Sequence, residues 1–230
     1  MFYIIGLGLD EKDISLKAVD ALNKCSAIYC ESYTSKWDGN IKDIEKIIKK
    51  KIKLLGREEV ESDFLVNEAK TKNVALLVPG DPLTATTHFQ LLIDAKNAGI
   101  PCRIIHAPSI YTAIAESGLQ LYKFGRTTTL VKDFSASSPF NVVHENKKSG
   151  LHSLVLLDVE MTVDEGIKLL IKNKVIEENE KIFVCSNLGT RKAKIKYGYA
   201  KDLQTGGVPS VIIVPGKLNF KEEEAIDLWK

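Results

Sequence analysis

The run "VALLV" at residues 74–78 constrains this chain more than any other stretch. Side chains on a strand alternate between its two sides, so five consecutive apolar residues leave no polar face for water. Such a strand has to be covered above and below. It stops at Pro79, and a second proline, Pro82, follows after only Gly80 and Asp81. Proline fixes its own φ and pushes the residue before it towards extended geometry, which makes "VPGDP" a stiff corner. Asp81 followed by Pro82 also reads as an ordinary helix start, an N-cap and a first helical residue. The residues that follow, Thr84, Ala85, Thr86 and Thr87, include β-branched threonines that form helix poorly. Their small size leaves room for something to lie against the corner.

Around that strand the chain alternates. Phe2 to Ile5, "SAIYCE" at 26–31, "KIKLL" at 51–55 and "PCRIIH" at 101–106 read as strands, with helices predicted over 15–23, 41–50 and 83–98. In the 41–50 helix, Ile41, Ile44, Ile47 and Ile48 are expected to face inward. Strands alternating with helices predict a parallel sheet covered on both faces. From Thr127 the character changes. Strands are expected over 127–131, 153–158, 181–185, 193–200 and 210–215, with 163–172 as the good helix among them, which predicts a second, mixed sheet. The expected fold class is therefore two α/β domains, an N-terminal one over 1–107 built on a mostly parallel sheet and a C-terminal mixed one over 108–230.

Composition narrows the function classes. The net charge of +2 carries no footprint of nucleic-acid binding. Arginine occurs at Arg57, Arg103, Arg126 and Arg191, so 28 of the 32 basic residues are lysine, against the planar bidentate chemistry that phosphate grooves favour. Cys25, Cys30, Cys102 and Cys185 show no C-x-x-C spacing, and the chain opens directly on a strand without a basic and apolar leader. A cytoplasmic, reduced setting is expected. The longest apolar runs are strand-sized, so no membrane partner is expected.

Three strand ends in the first half carry unusual chemistry, and in parallel sheets ligands sit outside the carboxyl ends of strands. "GLGLDEKD" follows the first strand. Gly6 and Gly8 permit close backbone approach, but the third glycine of a dinucleotide fingerprint would fall at Glu11, whose carboxylate repels a pyrophosphate. Glu31 stands at the end of the second strand, where a ribose-binding acid would be expected. The second end is the Gly80–Asp81 corner. The third is "HAPSIYTAI", where Ser109 can cap a helix running to Glu116. No nucleophile elbow, P-loop or metal-spaced His/Cys cluster occurs, and His88, His106, His144 and His152 are scattered. A binding cleft with no evident acid, base or metal points to chemistry on an already activated cofactor.

The segments "MFYIIGLGL", "YCESYTS", "VPGDPLTATTH", "HAPSIYTAIAESGLQLYKFGRTTTL", "GLHSLVLLD" and "VPGK" resemble the diphthine synthase family. That family belongs to the tetrapyrrole-methylase-like class of S-adenosylmethionine-dependent methyltransferases. The resemblance runs from residue 1 to about 220 and is densest over 74–130. It implies a homodimer of two-domain subunits with S-adenosylmethionine in the cleft between the domains. It also implies methylation of the amino group on a modified histidine of translation elongation factor 2, a step in diphthamide biosynthesis. Carried onto matching positions, the cofactor contacts implied are Leu9, Asp81, Thr84, Ser109 and Ile110, with Leu157, Leu188 and Ser210 from the second half. The chain departs from the family's usual small-Arg-small-Gly pattern at Ser186, Asn187, Leu188 and Gly189. It also lacks an insertion between Glu160 and Met161 and stops at Lys230, about a helix short of the usual length. An acceptor resembling an α-amino group, with a pKa of about 8, has a useful neutral fraction at neutral pH. No essential general base and no metal are therefore expected. Tyr33, Tyr111 and Tyr122 are candidates for a face that tolerates a quaternary ammonium product.

Overall fold

The computed structural model describes residues 1–132, 137–204 and 207–229. The chain divides into two compact units, Met1–Tyr111 and Thr112–Lys230. In chain order the first carries β1 (Phe2–Gly6), α1 (Leu16–Asn23), β2 (Ala27–Glu31), α2 (Ile41–Ile48), β3 (Lys53–Leu55), α3 (Arg57–Val60), α4 (Phe64–Ala69), β4 (Val74–Val78), α5 (Phe89–Asn97) and β5 (Cys102–Ile105). Helix α6 (Ile110–Ala113) spans the division. The second unit carries β6 (Thr128–Leu130), α7 (Ser138–Lys148), β7 (Ser153–Leu157), α8 (Val163–Lys172), β8 (Lys181–Ser186), β9 (Lys194–Tyr199), β10 (Ser210–Val214) and α9 (Phe220–Ile226).

The first sheet has the order β3-β2-β4-β1-β5, and every pairing in it is parallel. Both faces are covered, and this explains the unbroken apolar runs. On one side Phe2, Ile4, Val74, Leu76 and Val78 pack with Leu65 and Val66 of α4 and Leu91 and Ala95 of α5. On the other, Tyr3, Ile5, Ala75 and Leu77 pack with Ala18 and Leu22 of α1 and Ile44 and Ile48 of α2. Each such aliphatic side chain, fully buried, contributes about 1.5–3 kcal/mol. Ile47, expected inward, is half exposed, because α2 turns only a narrow stripe to the sheet.

The second sheet has the order β6-β7-β10-β8-β9. β6 and β7 run parallel and the remaining pairs antiparallel, so the sheet is mixed. Its core joins Val155, Val184, Ile212 and Val214 to Val143 of α7 and Ile167 and Leu170 of α8.

Two further sequence expectations need correction. The helix expected from Leu83 begins only at Phe89. Ala85 takes a left-handed backbone (φ 55°), and the Thr86 hydroxyl donates to the Pro82 carbonyl at 2.7 Å, so 82–87 run as a turn followed by bends. In the second half, α7 is a full helix in addition to α8. Its sequence, "SPFNVVHENKK", is too polar to announce one, yet Val142, Val143 and Asn146 are buried.

Candidate functional site

Three strand ends are fastened together at the carboxyl edge of the first sheet. Gly80 N–H donates to the Gly8 carbonyl at 2.8 Å, and Gly8 N–H donates to the Gly80 carbonyl at 3.2 Å. Both residues need positive φ, +76° at Gly8 and +68° at Gly80, which glycine adopts without steric cost. Gly6 lies tightly against this pair. A Cβ there would meet the Gly80 carbonyl at 2.6 Å, Ala107 Cβ at 2.8 Å and Pro82 Cδ at 2.9 Å. The corners after β1, β4 and β5 therefore form one packed unit.

Asp81 clamps them further. Its Oδ1 accepts from Leu83 N–H at 3.0 Å and from the Thr84 hydroxyl at 3.4 Å. Its Oδ2 accepts from Ala107 N–H at 3.3 Å and lies 2.7 Å from His106 Nδ1. The stiff double-proline corner thus presents a carboxylate, 9% exposed, whose oxygens are engaged by the chain's own groups. Ser109 is buried at the third corner and Ile110 opens α6. A Cβ at Gly80 would meet nothing nearer than Ser109 Cβ at 3.9 Å, so the space beside this corner is open.

Leu9 stands in the turn after β1. Its N–H donates to Asp13 Oδ2 at 2.8 Å, and Asp10 N–H donates to the same oxygen at 3.1 Å. A carboxylate therefore occupies the place where a dinucleotide fold would receive a pyrophosphate, and it comes from Asp13 and not from Glu11. Glu31 is likewise committed to its own loop, accepting from Tyr33 N–H at 2.9 Å, from Thr34 N–H at 3.0 Å and from the Thr34 hydroxyl. It has no free carboxylate edge for a ribose.

Beside Glu31 lies a cluster that sequence reasoning did not assemble. The Tyr33 and His88 rings meet edge to face with centroids 6.4 Å apart. The Tyr33 hydroxyl and both His88 ring nitrogens are buried without a hydrogen-bonding partner. Burial pushes the Tyr33 phenol up to about 12, with Glu31 and Glu61 adding to it and Arg57 opposing. The Arg57 guanidinium sits 5.0 Å from the Tyr33 centroid, so that ring face already holds a cation. Tyr111 follows Ile110 directly and is partly exposed, while Tyr122 projects from the second unit.

In the second unit, Leu157, Leu188 and Ser210 come to one edge of the sheet. Leu157 ends β7, Ser210 begins β10, and Leu188 lies just past β8, where Ser186 pairs with Ser210. The Ser210 hydroxyl donates to the Gly207 carbonyl at 2.6 Å and lies 2.7 Å from the Ser186 hydroxyl. At the departure from the family pattern, Asn187 has φ +51° and its Nδ2 donates to the Val208 carbonyl at 2.8 Å. A short amide tolerates that backbone and ties down the segment leading into β10.

Two buried imidazoles give the fold a pH dependence. Burial pulls His88 below its ordinary 6.5, against the nearby Glu31 and Glu61 carboxylates. Burial does the same to His152 in the second unit, against Glu222. Below about pH 6.5 the unfolded chain binds the extra protons, so the stability that the neutral rings carry is full above that pH and lost as pH falls. Urea midpoints should drop between about pH 7.5 and 5.5; equal midpoints would contradict this.

The all-parallel sheet with its fastened glycine corners, followed by a mixed sheet, is a two-sheet α/β arrangement whose class the comparisons with known proteins supply. A model of the family "Tetrapyrrole (Corrin/Porphyrin) Methylases" matches residues 1–204. The diphthine synthase of Methanocaldococcus jannaschii is 42% identical over 250 residues, covering 98% of this chain and 97% of that protein. A crystal structure of diphthine synthase superposes with a TM-score of 0.93 at 33% identity, covering 100% of this chain and 96% of the other. A putative diphthine synthase from Entamoeba histolytica gives a TM-score of 0.92 at 32% identity, covering 100% and 98%. The chain belongs to the tetrapyrrole methylase family, in its diphthine synthase branch.

Proposed function

We propose that this methyltransferase uses S-adenosylmethionine to methylate the amino group of the aminocarboxypropyl-histidine of translation elongation factor 2, giving diphthine in diphthamide biosynthesis. The observation that carries the proposal is the 42% identity to a diphthine synthase over nearly the whole of both chains. The first-unit corners fit such a donor: Gly80 opens onto space bounded by Ser109, with the Thr84 hydroxyl beside it. Bound there, the donor supplies an electrophilic methyl on a good leaving group.

The chain's own part is placement. Leu9, Asp81, Thr84, Ser109 and Ile110 hold the donor, and Asp81 also fixes the corner that receives it. Leu157, Leu188 and Ser210 are the contacts proposed from the second unit. Near-attack placement of the amine at roughly 3–3.5 Å supplies most of the rate. Tyr111 offers an aromatic face to the quaternary ammonium that three transfers produce. The working form proposed is a cytoplasmic homodimer.

The test incubates the protein with S-adenosylmethionine and elongation factor 2 bearing the aminocarboxypropyl-histidine, and follows intact mass. Three successive methyl increments on the factor are expected. A factor of unchanged mass would overturn the proposal.

A further inference from the structure

The Asp81–His106 pair has an asymmetry that the placement chemistry above does not use. Asp81 is nearly buried and bonded on both oxygens, whereas the His106 side chain is 68% exposed. The two arrive from different strand ends, Asp81 after β4 and His106 after β5, with β1 between them. A carboxylate accepts, so at 2.7 Å it favours, in the neutral ring, the tautomer with the proton on His106 Nδ1 and the lone pair on Nε2. Because Leu83 and Ala107 N–H groups hold Asp81 from both corners, the ring it orients is held too. A buried carboxylate steering one nitrogen of an accessible imidazole is the arrangement that readies the other nitrogen to take a proton and steadies the imidazolium that results.

We propose that His106 is the catalytic proton acceptor for the amine that this enzyme methylates, with Asp81 as its positioning residue. The proposal rests on the amine-acceptor reading above and replaces the sequence expectation that no base is needed. In the step, an N–H bond of the acceptor ammonium breaks and its electron pair stays on nitrogen as the nucleophile. The proton bonds to Nε2, and the imidazolium returns it to water before the next round. Each methyl added to an amine that still carries hydrogen leaves an ammonium with one more proton to lose. Three transfers therefore need three deprotonations at one site. An amine with a pKa of about 8 can meet the first from solution; the later ones arise within the site. Asp81 is the ionisable side chain in contact with the His106 ring. The other carboxylates at this edge, Asp13 and Glu31, are engaged by their own loops' N–H groups.

His106→Asn tests it, since an amide N–H still bonds Asp81 but takes no proton. Transfer of the second and third methyls to the elongation factor should slow by about 100-fold near pH 7 while the first slows far less, and the deficit should shrink at higher pH or with added imidazole. S-adenosylmethionine affinity should stay unchanged, and partly methylated factor should accumulate. A rate ratio that is flat with pH, with no imidazole rescue, would overturn the proposal. Nitrogen NMR of the ¹⁵N-imidazole-labelled free protein gives an independent reading: the proton should sit on Nδ1 of His106. The opposite tautomer sinks the base whatever the acceptor turns out to be, while a wild-type protein that leaves the factor unmodified sinks only the acceptor.

Discussion

Replacing Glu222 with alanine is expected to cost the second unit about 3–5 kcal/mol, the scale for breaking one side of a buried ionic network. Glu222 is 1% exposed, on the first turn of α9. Its Oε1 accepts from Gln120 N–H at 3.0 Å and from His152 Nε2 at 3.0 Å. Its Oε2 accepts from Asn219 N–H at 2.9 Å and from the Lys123 ammonium. Burial by itself would raise this carboxyl, but Lys123, the Gln120 and Asn219 N–H groups and His152 outweigh it and hold it near 2. His152 is fully buried, and its Nδ1 accepts from Gly216 N–H at 2.8 Å, so the ring is neutral with its proton on Nε2, aimed at Glu222. Alanine would leave an imidazole N–H, an ammonium and two backbone donors facing a void. Glu222→Gln keeps the volume but turns an amide NH2 towards the Lys123 ammonium or the N–H donors around it, and should recover little. The chain has two tryptophans. In a Trp37→Phe background the remaining one, Trp229, donates to the Ser117 carbonyl at 3.1 Å and reports the second unit. Guanidinium unfolding followed by its fluorescence gives the cost; a loss below about 1 kcal/mol would mean that water replaces the carboxylate at no great penalty.

That network also explains why two short segments were so informative in the sequence. "LYKFG" supplies Lys123, and "VPGK" supplies Gly216 and the Lys217 carbonyl, which accepts from Lys123 Nζ at 2.7 Å. Both are tied to one carboxylate, though neither shows its partner locally. The corners were legible for the opposite reason. Proline and glycine act on their own backbone, so "VPGDP" and "GLGL" announce their geometry without knowledge of what packs against them. The strands were legible because a doubly covered sheet demands unbroken apolar runs. The Asp81–His106 contact was not legible. It joins residues 25 apart and depends on β1 lying between β4 and β5, an order that no local pattern encodes. The Tyr33–His88 cluster depends in the same way on the loop after β2 meeting the segment after β4. Helix α7 was hidden by its own polarity, since besides two adjacent valines it buries a proline and an asparagine.

Gly6→Ala and Gly80→Ala should part company, and together they test whether the corners bind anything. At Gly6 the new methyl would strike a backbone carbonyl and a proline ring under 3 Å away, neither of which can swing aside. Overpacking of that kind costs about 1–3 kcal/mol, and the rigid neighbours place this site at the upper end. Because Gly6 supports the contact between Gly8 and Gly80, donor affinity should fall together with stability. At Gly80 the cost has another origin. Its φ of +68° is left-handed, which charges a residue with a Cβ about 1–2 kcal/mol. The methyl itself meets only Ser109 Cβ at an ordinary 3.9 Å. It projects into the open space assigned to the donor, so S-adenosylmethionine affinity should fall at least as far as at Gly6 while the fold loses less. Trp37 Nε1 donates to the Gly8 carbonyl at 3.1 Å, so in a Trp229→Phe background its fluorescence follows this corner directly through denaturation. Calorimetric titration with S-adenosylmethionine supplies the affinities. If Gly80→Ala left affinity intact, the groove beside Ser109 would not be where the donor lies, and the role given to the double-proline corner would fall with it.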